Sequence, residues 1–151
     1  MKILRSLAIA SVASILSSSA TEAQTAVVIN PQNTTSDLSV EELRRLYLGR
    51  SRGFNGGMNA VLVEYAALRE SFYDRVLGLK PAVVRQRWIT LFFRGEVATM
   101  PQEMEQASEV KRFVAANVGA LAFLDFVECD DTVKIVTIDG LRPGDAGYKL
   151  R

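Results

Sequence analysis

Four short runs of aliphatic and β-branched residues, Ala26–Ile29, Ala60–Val63, Ala120–Leu124 and Val133–Ile138, stand apart along the chain, with helical spacing between the first three. Runs of this length bounded by turn residues are the signature of buried strands. Ser39-Val40-Glu41-Glu42 fits a capping box, and Leu43, Leu46 and Tyr47 give the helix it opens an apolar face, with Gly49 as its stop. Leu68, Phe72, Val76 and Leu77 space a second helix over Ala67–Leu77, closed by Gly78. Pro81 opens a third, with Val84, Trp88, Leu91 and Phe92 on one face. Ser108 is expected to cap a fourth, running through Val110, Phe113, Val114 and Val118 to Gly119. Arg50–Met58 and Arg94–Ala107 read as connections, and Asp139-Gly140 as a turn. Strands alternating with helices predict one α/β domain, a mostly parallel sheet flanked by helices.

The sequence contains no histidine and one cysteine, Cys129. His-based triads, a His general base, His metal sites and Cys zinc clusters are thereby excluded. At the front, Lys2 and Arg5 precede an apolar stretch from Leu7 to Leu16 and then Ser17-Ser18-Ser19-Ala20-Thr21-Glu22-Ala23. That is the three-part layout of a secretory signal peptide, and the apolar run is about half of the roughly 20 residues a bilayer-spanning helix needs. Residues 1–23 are therefore expected to be removed, with cleavage after Ala23 or Ala20, leaving a periplasmic domain of residues 24–151. That domain keeps sixteen basic and sixteen acidic residues, since Lys2, Arg5 and Glu22 leave with the leader. A net charge of zero gives no electrostatic case for a nucleic-acid partner. With a single thiol, the exported domain has to be held by its core, which this length allows.

Several segments taken in order resemble a known family. Val28-Ile29-Asn30-Pro31, then Leu38-Ser39, Glu42-Leu43-Arg44 and Leu46-Tyr47-Leu48-Gly49-Arg50, resemble a stretch of the phosphate-binding periplasmic proteins of ABC transporters. Arg69-Glu70-Ser71-Phe72-Tyr73 with Val76-Leu77-Gly78 looks like the helix after the anion-binding loop of that family. Trp88 with Phe93-Arg94-Gly95, Val114–Phe123, and Val136–Pro143 followed by Tyr148 and Leu150 are similar to its later elements. The resemblance covers residues 26–150. It implies a single lobe of the periplasmic-binding-protein type, about half the two-lobed family protein, without catalysis or cofactor. A small oxyanion such as phosphate is the ligand it implies, and a membrane permease or sensor the partner.

An oxyanion needs aimed backbone N–H groups, hydroxyls and an Arg, and a helix N-terminus after a parallel strand supplies the first of these. The helix start at Ala67, Leu68, Arg69 and Ser71 is the candidate site, joined by Asn30, Thr34 and Thr35 after the first strand, on the same expected edge of the sheet. The resemblance also exposes a departure. The family's Ser-Gly-Thr tripeptide falls on Ala66-Ala67-Leu68, and Glu64-Tyr65 stand near its basic residue. Two hydroxyl donors are missing, and Glu64 repels a phosphate at close range. An alternative follows, an envelope interaction protein that kept the fold and lost the ligand.

Other clusters have simpler readings. Arg44, Arg45, Arg50 and Arg52 fit a solvated helix end, or else an anionic partner or membrane surface. Trp88, Phe92, Phe93 and Phe113 have the spacing of core residues, and Asp125, Glu128, Asp130 and Asp131 lack the arrangement of a calcium loop. Glu64 and Glu70 are the carboxylates a hydrolase would use, but their spacing demands no such role. The chain is expected to be a monomer or homodimer.

Overall fold

Residues 24–151 are described by a computed structural model; the expected leader, residues 1–23, lies outside the described residues. Five strands form the main sheet in the order β4-β3-β5-β1-β6: Gln102–Met104, Val61–Tyr65, Ala120–Asp125, Thr25–Ile29 and Lys134–Ile135. β3 pairs parallel with both β4 and β5, whereas β1 pairs antiparallel with β5 and with β6. Four strands therefore run one way and β1 runs against them, which gives the mostly parallel α/β sheet that the alternation predicts. Two short strands, β2 (Asp37–Leu38) and β7 (Thr137–Ile138), pair separately.

Period-two alternation sorts the sheet's two faces. Val27, Ile29, Leu62, Leu121 and Phe123 face α1 (Val40–Tyr47), α2 (Arg69–Leu77) and α3 (Pro81–Phe93), whose Leu43, Tyr47, Phe72, Val76, Trp88 and Leu91 complete the larger core. Ala26, Val28, Val63, Ala122 and Leu124 face α4 (Ala107–Ala116), which contributes Val110 and Val114. Small residues on this second face let one helix lie close. The last residues return to the sheet: Thr25 N donates to Leu150 O at 2.9 Å, and the buried Tyr148 hydroxyl donates to Thr25 O at 2.7 Å.

The expected capping box at Ser39 and Glu42 is present, and Gly49 follows α1 in a left-handed conformation, φ +66°. Several local expectations are corrected. Arg94–Ala107 is not all connection, because Gln102–Met104 forms the edge strand β4; its outward-facing Gln102 and Glu103 hid it from any apolar pattern. α4 starts one residue before Ser108, with Gln106 at its N-cap, and ends at Ala116. Val133–Ile138 is not one strand, since the buried Val136 separates β6 from β7. Of the four aromatics read as core, Trp88 is buried and Phe113 half-buried, but Phe92 and Phe93 are 45% and 83% exposed. They follow Leu91, the last buried residue of α3. Among the described residues no helix is long and apolar enough to cross a membrane.

Candidate functional site

The direction of β1 decides which candidate residues meet. Ile29 lies opposite Leu121, at the start of β5, and Thr25 lies opposite Asp125, at its end. Asn30, Thr34 and Thr35 therefore sit at the edge where β3 and β5 begin, and Ala67, Leu68, Arg69 and Ser71 at the edge where β3 ends. The expectation of one shared edge is corrected; it assumed that β1 runs with β3.

At the first edge, Asn30 and Asn33 are buried and bonded to backbone. Asn30 Nδ2 donates to Val114 O and Ala115 O, both at 2.9 Å, and its Oδ1 accepts from Gln32 N at 2.8 Å. Asn33 Nδ2 donates to Val118 O at 3.2 Å, and its Oδ1 accepts from Thr35 N at 3.0 Å. These amides satisfy carbonyls around the end of α4. Thr34 is exposed and Thr35 half-buried on the same turn.

At the second edge, β3 turns into α2 over three residues. Ala66 N donates to Met104 O of β4 at 2.9 Å and Leu68 N to Tyr65 O at 3.1 Å. α2 then opens with Leu68 as N-cap and no side-chain cap, while Ser71 Oγ turns back to donate to Leu68 O at 3.0 Å. Such an uncapped start presents N–H groups and the positive end of the helix dipole.

Glu64, the third residue before Ala67, faces the same crevice with its side chain 12% exposed. The Tyr73 hydroxyl donates to one of its oxygens, and Arg69 Nη1 stands 3.7 Å from the other. Arg69 also bonds Glu103 on β4. Burial pushes the Glu64 carboxyl above its ordinary range, while the Tyr73 bond and Arg69 pull it back. Burial, and then the Glu64 charge, raise the Tyr73 phenol far above its usual value, so it stays protonated and donates to Glu64. A cavity of about 370 Å³ opens beside this group, lined by Glu64, Arg69, Arg85, Trp88, Pro101 and Glu103 among others. A second, of about 400 Å³, shares Trp88, Met100 and Pro101 and continues under the Gly95–Pro101 segment. Two Arg and two Glu side chains thus frame the first cavity, a balanced set that can meet an anion or a proton donor.

Sequence reasoning had the helix start but not Tyr73, Arg85 or Glu103. Tyr73 stands four residues after Arg69, one helical turn along the same side, which was the available signal. Glu103 had none, because β4 shows no apolar period.

No family model matches the sequence. Solved structures do match the arrangement of elements. A protein assigned as a phosphate ABC transporter substrate-binding protein from Clostridium perfringens, with bound phosphate, superposes with a TM-score of 0.68 at 20% identity, over 85% of this chain and 52% of its own. An ABC-type phosphate transport receptor from Vibrio cholerae gives 0.62 at 22% identity, over 80% and 48%. PstS from Borrelia burgdorferi gives 0.67 at 11% identity, over 85% and 54%. The chain has the fold of one half of a phosphate-type substrate-binding protein. It spans about half the length of the solved structures it matches. The fold implied by the sequence resemblance is thereby the observed one; at these identities the likeness carries the fold alone.

Proposed function

We propose that this chain is an exported, non-catalytic protein of the solute-binding type. It works in the periplasm as a single lobe that presents its crevice to a membrane permease or sensor and receives a small oxyanion such as phosphate there. The observation that carries this reading is the uncapped α2 start at the end of β3, with Arg69 and Arg85 lining the cavity beside it. The helix end supplies N–H groups, the two guanidiniums supply charge, and a protonated oxyanion can give its O–H to Glu64 or Glu103. A single lobe buries one side of its ligand, so binding in the micromolar to millimolar range is expected, roughly 4–8 kcal/mol.

One observation favours a second reading. Arg69 is already engaged by Glu64 and Glu103, so an internal carboxylate stands where an incoming anion would. In that reading the protein is an envelope accessory that kept the fold without the ligand. Thermal unfolding of residues 24–151 with and without millimolar phosphate, sulfate and acetate separates the two, because any ligand of the native state raises the midpoint by mass action. A rise with phosphate supports the first reading. No rise with any oxyanion refutes it and leaves the second.

A further inference from the structure

The charges of this neutral domain are not evenly placed. From Arg44 to Arg94 the sequence holds ten Lys and Arg against three Asp and Glu, and the remainder of residues 24–151 carries the opposite excess. The basic segment supplies α2, α3 and the second half of α1, whose first turn carries Glu41 and Glu42, all packed on one face of the sheet. Within that layer the last turn of α3 projects an aromatic pair. Phe93 is 83% exposed, Phe92 is 45% exposed, and their rings meet edge to face at 5.9 Å.

The surroundings of this pair are basic. Gly49 lies against Trp88 and Leu91, which seats the Arg50–Arg52 segment beside the end of α3. Arg52 donates to Glu96 O at 3.3 Å, Arg87 donates to Leu48 O at 2.6 Å, and the largely exposed Arg94 follows Phe93 directly. Glu96 stands 3.9 Å from Arg94, and Glu42 lies on the far side of the Ser51–Gly53 turn, bonded to Asn55. A second exposed apolar pair, Phe126 and Val127, is flanked instead by Asp125, Glu128, Asp130 and Asp131.

We propose that the end of α3 docks on the surface of an anionic lipid bilayer, with Phe92 and Phe93 entering the headgroup region and Arg50, Arg52, Arg87 and Arg94 facing the lipid phosphates. An aromatic tip ringed by guanidiniums has the two components of interfacial binding, apolar insertion and attraction to anionic headgroups. The tip stands out from a helix end, so a deformable acceptor suits it better than a preformed protein pocket. A second copy related by a twofold axis sets this basic ring against its like. Docking through α3 would hold the neighbouring cavity, which Arg85 and Trp88 of the same helix line, close to the membrane.

The test is co-sedimentation of residues 24–151 with vesicles of phosphatidylcholine containing about one third phosphatidylglycerol, against phosphatidylcholine alone, at low and at high salt. Binding to the anionic vesicles only, released by salt, is the expected result. F92S/F93S should lower the partition coefficient about tenfold or more, from lost apolar insertion. R50Q/R94Q should lower it by about fivefold per charge. F126S/V127S, the pair in the acidic setting, should leave it unchanged. All six positions are exposed, so an unaltered thermal midpoint shows that each variant remains folded. The proposal is overturned by equal binding to neutral vesicles, by no binding to anionic ones, or by F92S/F93S binding like the parent. It is also overturned if the parent self-associates without vesicles and F92S/F93S abolishes that, which would make a second copy the occupant.

Discussion

Asn30 tests whether the turn after β1 is structural or ligand-binding, because three changes at one buried position give ordered outcomes. Its amide makes three bonds of 2.8–2.9 Å with 3% of the residue exposed. Asn30→Ala removes all three and leaves Val114 O, Ala115 O and Gln32 N to find water, at a net cost of about 1 kcal/mol each, hence about 3 kcal/mol. For a domain of this size that lowers the melting midpoint by about 10 °C. Asn30→Asp is isosteric yet should be worse at neutral pH. It keeps the acceptor for Gln32 N but turns an acceptor with charge toward two carbonyls at the negative end of α4, adding roughly 1–2 kcal/mol to the alanine cost. Burial and those carbonyls raise the folded-state pKa of the introduced carboxyl, so the folded state binds more protons than the unfolded one there. Its stability should therefore recover as pH falls toward the ordinary carboxylate range, whereas Asn30→Ala, lacking the group, should show no such recovery. Urea denaturation of both variants between about pH 4 and pH 7 reads this directly. The reasoning is refuted if the aspartate variant equals or exceeds the alanine variant at neutral pH, or if their difference is flat with pH. A parent-like midpoint combined with a lost response to phosphate would return Asn30 to the ligand site.

Glu64→Gln keeps an acceptor for Tyr73 and removes a carboxylate whose charged form burial disfavours. Because the folded-state pKa of Glu64 is raised, its contribution favours the native state at low pH and is lost as pH rises through the folded value; the glutamine variant should gain on the parent over that rise, and its midpoint should respond more to phosphate. A variant less stable than the parent at neutral pH would instead show that the Arg69 pairing outweighs the burial of the charge. Gly119→Ala should cost about 2–3 kcal/mol, since a Cβ there meets the Asn59 carbonyl oxygen at 2.5 Å beside the bond from Val61 N to Gly119 O; a midpoint within 2–3 °C of the parent's would contradict that contact. Burial pushes the Cys129 thiol up to about 11, so its alkylation at pH 8 should be about a hundredfold slower than that of an ordinary free thiol, and a rate matching glutathione would refute the half-buried placement.

The elements visible in the sequence were those with strong local terms. The Ser39 capping box, Pro81 at the start of α3 and Gly78 after α2 are decided within a few residues, and the structure holds all three where expected. The elements that were missed depend on partners far along the chain. β4 exists because β3 offers it a neighbour from Val63 to Tyr65, and its own exposed Gln102 and Glu103 carry no trace of that pairing. Phe92 has core spacing on α3, yet the buried positions of that helix end at Leu91, and periodicity contains no information on where a packing surface ends.

The same limit explains the split of the candidate site. A strand pattern fixes which residues alternate and leaves open which way the strand points, so Asn30 and Ala67 looked like neighbours when both merely followed a strand. The antiparallel pairing of β1 with β5 separates them by the length of the sheet and assigns the buried amides of Asn30 and Asn33 to the end of α4. What remains at the far edge is a set drawn from three elements: Glu64 from β3, Arg69 and Tyr73 from α2, and Glu103 from β4, with Arg85 of α3 also lining the cavity. An oxyanion entering by the proposed route would therefore compete with Glu103 and Glu64 for Arg69. Under the proposed function, affinity for an oxyanion would depend on how readily those internal pairs give way as well as on the two hydroxyls missing at Ala66 and Leu68.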